Sequence, residues 1–342
     1  MGTAIGDIIK AFGHPIDLAE LKNRSVAVDA HNILYQFLTS IRGPEGRPLM
    51  DAEGHVTSHL AGLLYRTSNL IEAGIRPIFV FDGQPHPLKK ETLAKRREIR
   101  TQAKVDMEVA IEAGDLEKAR MMGARAISLD QDMIAEAKLA MEYLGLPVVV
   151  APQEGEAQAA WMVEHHLAYA TVTQDYDALL FGSTRVVRNL AVTGKRKLPY
   201  RNAFVTIEPK RYELEEILSS LAITREQLIW VGMLIGTDFN EKIPKVGPKT
   251  ALNAVKGKDS FPEVVKGLKT EVDYPWEKVE RLFTHPHIQP LESIPSAEMN
   301  SEKVLSFYCD RHGFDSTRVT NALNKIARKP EDEKQSTLGK WG

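Results

Sequence analysis

Residues 148–182 read VVVAPQEGEAQAAWMVEHHLAYATVTQDYDALLFG. The apolar run from Leu146 to Ala151 predicts a buried strand, which delivers Glu154 and Glu156 just ahead of an Ala-rich helical run. A second apolar run, Ala168–Thr173, delivers Asp175 and Asp177. Each pair of acids is spaced i, i+2 and follows the carboxyl end of a predicted strand, the edge at which open α/β sheets collect ligands. Two carboxylates about 4 Å apart repel by on the order of 4 kcal/mol at an effective dielectric near 20. A fold keeps such a group for a hard divalent cation, which prefers oxygen ligands. The plain reading of one pair is a helix cap or first-turn acid, favoured by the helix dipole.

Outward from this stretch the same arrangement recurs. Residues 24–29, RSVAVD, form a β-rich run ending in Asp29, and AHNILYQFLTSIR continues it at helical spacing. Residues 75–82, IRPIFVFD, form another, closed by Asp82. Between them, 42–58 is rich in Gly and Pro and reads as a loop, and His59–Ala73 has helical periodicity. From Pro85 to about Met133 the chain carries no strand, and 88–104 holds seven Lys or Arg against two Glu. A basic helical insertion beside an acidic site suits a phosphate backbone, although charge runs are commonly solvated faces.

Residues 185–201 hold six basic residues and no acid, with Thr193-Gly194 as the expected hairpin tip. Beyond Pro209 the chain is expected to turn helical. Thr224 and Gln227 form a capping pair, and LIWVGMLIGTDFN leaves Asp238 at the end of a buried helix. A tight turn at Lys245–Pro248 then precedes another helix, the shape of a helix-hairpin-helix, which offers backbone N–H groups to a phosphate. Residues 259–327 read as short helices on Pro-rich loops, and the last fifteen residues as a polar tail in which Gln335, Leu338 and Trp341 fall at i, i+3, i+6.

Composition bounds the rest. The chain has 342 residues, 43% hydrophobic and 26% charged, enough for one large or two modest globular domains. No run of about 18 apolar residues is present, and MGTAIGDIIKAFG lacks a basic-then-apolar secretory pattern. The single cysteine, Cys309, rules out an internal disulfide framework and suits a reducing compartment, so a cytoplasmic location is expected. The formal charge of −2 argues against nucleic acid only until the seven acids above are set aside, which leaves +5 in clustered stretches.

Taken together, Asp29, PIFVFDG, QEGEAQA, TQDYDALLFG and GTDFN before the hairpin resemble the structure-specific 5′ nucleases, and most closely the archaeal flap endonucleases, from Met1-Gly2 to the tail. The resemblance implies a mostly parallel, PIN-like α/β sheet flanked by helices, with an inserted arch. It implies regions at 1–98 (nuclease), 99–133 (the rest of an arch beginning near 85), 134–258 (nuclease with helix-hairpin-helix), 259–328 (helical) and 329–342 (tail). Asp29, Asp82, Glu154 and Glu156 match the acids of a first metal; Asp175, Asp177 and Asp238 match those of a second. Lys89 and Arg96 resemble the phosphate-clamping cations at the foot of the arch, and Tyr35 the aromatic that stacks on a base. Arg42, Thr57 and Arg66 resemble residues holding the upstream duplex and its 3′ flap. The hairpin with Gly247 and Lys249 resembles the duplex-phosphate motif that takes K⁺. Residues 335–341 resemble the box that docks on a sliding clamp. Three departures stand out: Gly342 follows Trp341 where a second aromatic is usual, Lys245 stands where Gly is frequent, and the start is less apolar.

What this implies is two-metal hydrolysis of a 5′ flap at its junction with duplex, together with 5′–3′ exonuclease action, in Okazaki-fragment maturation and base excision repair. Mg²⁺ is expected on availability, with Mn²⁺ able to substitute, and the enzyme is expected to be a monomer. The uninterrupted link from the arch to residue 146 counts against the larger excision-repair relatives. Competing readings are a 5′ exonuclease or branched-DNA nuclease of the same family, a metal phosphatase or small-RNA nuclease, and a non-catalytic clamp-binding scaffold.

Overall fold

A computed structural model describes residues 3–43, 47–191, 194–197 and 204–327. Seven of its strands share one sheet: β1 (His14–Pro15), β2 (Ser25–Asp29), β3 (Arg76–Phe81), β4 (Val148–Val150), β5 (Ala170–Val172), β6 (Arg185–Arg188) and β9 (Lys210–Glu213). β7 (Gly194–Lys197) and β8 (Phe204–Ile207) pair separately. The sheet order is β1-β9-β6-β5-β2-β3-β4. The five strands from β6 to β4 are parallel, and only β9 and β1 pair antiparallel.

Alternation explains why the middle of this sheet reads as continuous apolar sequence. Val26 and Val28 of β2, with Phe79 and Phe81 of β3, face one core beneath helices Ala30–Ser40, Ser58–Glu72 and Gln131–Tyr143. Ala27, Ile78 and Val80 face the other side, against Ala159, Met162 and Val163 of helix Gly155–Glu164. A parallel strand covered on both faces needs apolar residues at every position. Strands from residues 14–81 and from residues 148–213 thus share one sheet. Another core packs helix Arg225–Ile235 against Tyr176, Leu180 and Tyr212, and beneath helices Pro248–Val255 and Trp276–Thr284.

The expected insertion is present. It comprises Pro87–Lys89, helix Lys90–Glu112 and helix Leu116–Ala126, with Gly114 in the left-handed region (φ 71°) at the bend. Its buried residues are small (Ala103, Ala110, Ala119, Gly123), which lets the two packed helices approach closely. Thr224 and Gln227 form the capping box their spacing predicts.

Two expectations are corrected and one strand is added. Lys210–Glu213 is a strand rather than helix, because Tyr212 fills the core and the strand pairs with β6. Gly194 opens β7 rather than a hairpin tip, pairing with Ile207 while Lys197 pairs with Phe204; Thr193 lies outside the described residues. His14–Pro15 adds an unforeseen edge strand, too short to carry a pattern. Met1, Gly2 and the tail box (Gln335, Leu338, Trp341) also lie outside the described residues.

Candidate active site

The seven acids gather where the parallel strands end. β2 sends its chain toward β3 and β4, whereas β5 sends its chain toward β6 on the other side, so the crevice between β2 and β5 is the sheet's switch point. Asp29 ends β2, Asp82 follows β3, Glu154 and Glu156 follow β4, and Asp175 and Asp177 follow β5. Asp238 arrives from the other core, on the turn after helix Arg225–Ile235, where Gly236 at φ 92° breaks the helix.

The helix-cap reading of these acids is partly right. Asp29 caps helix Ala30–Ser40, with Oδ1 accepting the Asn32 N–H at 3.0 Å. Its other oxygen lies 3.2 Å from the Thr173 hydroxyl, which is also 3.3 Å from Glu156 Oε1 and accepts the Asp175 N–H at 3.2 Å. One hydroxyl proton thus serves two carboxylates. Asn32 Nδ2 donates to Asp175 Oδ2 at 3.0 Å, and its Oδ1 accepts from Gln174 N at 3.1 Å. Asp82 Oδ1 accepts the Gly155 N–H at 2.6 Å, and the Asp82 N–H points at His31 Nδ1. Thr3 donates to Asp177 through both its N–H and its hydroxyl. None of Asn32, Thr173, Thr3 and His31 was singled out from sequence. His31, Asn32 and Thr173 sit within three residues of a chosen acid, the one available signal.

Two cations from the base of the insertion close over the acids. Lys89 Nζ bonds Glu154 and lies 3.7 Å from Asp238, and Arg96 bonds Asp238. Burial by itself would lower the Lys89 pKa, but Glu154, Asp238 and Asp82 outweigh it and hold the ammonium above its ordinary value. The acids shift the other way. Burial, then the charges of Asp82 and Asp175, push Asp29 up to about 7. Burial and Asp175 push Asp177 up to about 6. Burial, then Asp177, Asp29 and Asp175, raise Glu156 well above the carboxylate range. Burial also raises Glu154, against the pull of Lys89.

Among the described residues no three His, Cys, Asp or Glu side chains close around a point as metal ligands do. Lys89, Arg96, the Gly155 N–H and the hydroxyls occupy oxygens that such an ion would share. The donor set nevertheless fits a hard divalent ion. It is all carboxylate oxygen, and burial together with neighbouring carboxylates holds Asp29, Glu154, Glu156 and Asp177 above their ordinary pKa values, a cost that a bound cation would relieve.

The expected DNA contacts are more scattered. Tyr35 is half-buried on the helix that Asp29 caps. Arg42 donates to the carbonyls of Arg120 and Gly123, tying the end of that helix to the insertion, and burial lowers its pKa. Arg66 donates to Ala191 O at 2.9 Å. Arg66 and buried Thr57 line a cleft of about 550 Å³ together with Tyr65, Phe314 and Arg318. Gly247 precedes helix Pro248–Val255 with open space over its α-carbon, and Lys249 is exposed in that helix's first turn. Lys245, where Gly was expected, adopts φ 64°, the left-handed conformation that Gly favours.

A parallel sheet with acids along one edge and a basic helical insertion over them defines a metal-dependent nuclease of the PIN-like class. The comparisons agree: residues 2–103 match the XPG N-terminal domain and 145–238 the XPG I-region. Flap endonuclease 1 of Thermococcus onnurineus is 44% identical over 100% of this chain and 99% of its own length, and that of Pyrococcus furiosus is 44% identical over the same shares. The solved flap endonuclease-1 from Methanococcus jannaschii superposes with a TM-score of 0.75 at 35% identity, over 97% of this chain and 100% of that one. The chain belongs to the flap endonuclease 1 family. The catalytic core of Rad2, solved with a DNA substrate, shares the fold at 23% identity and a TM-score of 0.69, over 95% of this chain and 100% of that one. Among the described residues no helix is long and apolar enough to cross a membrane.

Proposed function

We propose that this chain hydrolyses one phosphodiester at the base of a 5′ flap, with 5′–3′ exonuclease action at nicks, and serves Okazaki-fragment maturation and base excision repair. The observation that carries the reading is that seven acids from five separate chain segments meet at one sheet edge with Lys89 and Arg96 upon them. Asp29, Asp82, Glu154 and Glu156 would hold one divalent ion, and Asp175, Asp177 and Asp238 a second. Mg²⁺ is the working ion on availability, and Mn²⁺ substitutes. Bound there, the ions supply an activated water and neutralise charge on the attacking and leaving oxygens.

The chain's own groups do the rest. Lys89 and Arg96 exchange their acids for the scissile phosphate, and one such donor contributes about 3 kcal/mol to the transition state. Tyr35 stacks on an unpaired base, worth roughly 1–3 kcal/mol. Thr57 and Arg66 hold the 3′ end of the upstream strand in their cleft. Arg42 joins them by releasing the carbonyls of Arg120 and Gly123. Gly247 and Lys249 hold duplex phosphates, with K⁺ at the hairpin. The helices of 99–133 complete the arch begun near 85, 259–328 buttresses the nuclease sheet, and the tail of 329–342 docks on a sliding clamp through Gln335, Leu338 and Trp341, more weakly for want of a second aromatic. The enzyme acts as a monomer in the cytoplasm.

Incubation with end-labelled double-flap DNA, a 3′-flap control and plain duplex, each in Mg²⁺ and in EDTA, tests the proposal. The expected product is a cut at the 5′ junction that requires Mg²⁺. Binding without any cut would assign the chain to the scaffold reading.

A further inference from the structure

We infer that Thr3 is a positioning residue for Asp177, fixing that carboxylate for the second divalent ion; the inference rests on the role proposed above for Asp177. The N-terminal segment is seated on the Asp175-Tyr176-Asp177 stretch. Ile5 and Ile9 are fully buried. Gly6 lies against the Tyr176 ring so closely that a Cβ there would stand 2.7 Å from it, and Gly13 meets Tyr212, on which Tyr176 packs edge to face, in the same way at 2.5 Å. No side chain larger than hydrogen fits either place without moving a tyrosine.

This seating brings Thr3 to Asp177. The Thr3 hydroxyl donates at 2.7 Å and its N–H at 3.1 Å, both to Oδ1. Two donors from one residue on one oxygen fix the plane of the carboxylate. The other oxygen has no hydrogen bond among the described residues, although Asp175, Asp238 and Glu156 are close enough to raise or be raised by this charge. Asp177 is 7% exposed, so water does little to orient it. Partners of this kind set the orientation of metal-binding carboxylates, and their loss costs about 10–100-fold in metal affinity. Because the Thr3 N–H survives substitution, the lower figure applies to the hydroxyl.

Thr3 also borders two clefts, one with Arg96 and Asp238 and one with Asp175 and Arg188, so a direct DNA contact is the competing role. Calorimetric titration with Mn²⁺ in the absence of DNA separates them, using the wild type, Thr3→Val, Thr3→Ser and Asp177→Asn. Thr3→Val should bind Mn²⁺ about tenfold more weakly at one site, and Thr3→Ser within twofold of wild type. DNA affinity in EDTA should be unchanged in both, and Thr3→Val should melt only slightly lower, by the cost of one buried hydrogen bond. Wild-type Mn²⁺ affinity in Thr3→Val beside a weakened Asp177→Asn would overturn the inference and leave the metal assignment standing. Wild-type affinity in Asp177→Asn would overturn the assignment itself. Equal losses in Thr3→Ser and Thr3→Val, or a loss confined to DNA affinity, would also refute a role for the hydroxyl in metal binding.

Discussion

Replacing Asp29 with Asn should stabilise the metal-free protein while abolishing its activity. The folded-state pKa of Asp29 stands at about 7 against an ordinary value of 3.8. A raised carboxylate pKa means that the fold favours the protonated form. Its stabilising contribution is complete below about pH 4 and is lost as pH rises through 7. At about 1.4 kcal/mol per pH unit, the charged form at pH 8 costs the fold about 4 kcal/mol. Asn is neutral at every pH, caps a helix as well as Asp, and can still accept from Thr173. The variant should therefore exceed the wild type by about 4 kcal/mol at pH 8 in EDTA, shrinking to less than half of that at pH 5. Urea unfolding at both pH values measures the difference, and subtracting wild type from variant cancels the titrating groups that Asp29 does not touch. Mg²⁺ should stabilise the wild type more than the variant, narrowing the gap. A variant no more stable than wild type at pH 8 in EDTA would refute the claim that this carboxylate is held against its own electrostatics.

Gly155→Ala would place a Cβ 2.9 Å from Asp82 Oδ1, so the carboxylate must turn away from its 2.6 Å bond to the Gly155 N–H. Cleavage should fall by about 100-fold with a stability loss of no more than about 2 kcal/mol, read by single-turnover kinetics beside thermal melting. His59 is fully buried with both ring nitrogens unpartnered among the described residues, and burial, partly opposed by Asp130, lowers its pKa to about 4. The fold therefore loses about 3 kcal/mol as pH falls from 6.5 to 4, and His59→Asn should flatten that part of the stability profile. Lys245→Gly relieves a left-handed residue at φ 64° and should raise stability by about 1 kcal/mol, seen as a higher urea midpoint.

The site was legible in the sequence because six of its seven acids follow strands built mostly of apolar residues, and Asp238 follows a buried apolar helix. Asp29 after SVAVD and Asp82 after PIFVF are local patterns, and burial on both faces leaves little else that VVV or ATV can become. What failed was decided by distant partners. KRYE at 210–213 has no strand pattern of its own; it is extended because Tyr212 inserts between Tyr176 and Gly13. Thr3 is 174 residues from Asp177 in sequence, and no spacing rule connects them. Thr173 and Asn32 were within reach, since each stands beside a chosen acid, but Thr and Asn at such places are ordinary turn and cap residues. The engagement of Arg42 with the carbonyls of Arg120 and Gly123 depends on where the insertion folds, which its one-signed charge does not specify.

The central claim is that the acids along the sheet edge perform the cleavage. Single-turnover cutting of a double-flap DNA by wild type and by Asp175→Ala, at saturating Mg²⁺ and with DNA binding measured in parallel, tests it most directly. The account predicts that the variant binds the DNA as wild type does and cuts it at least about 1000-fold more slowly, a loss of about 4 kcal/mol in the transition state. A variant that binds normally and cuts within tenfold of wild type would contradict it, and would move the chemistry away from the switch point between β2 and β5.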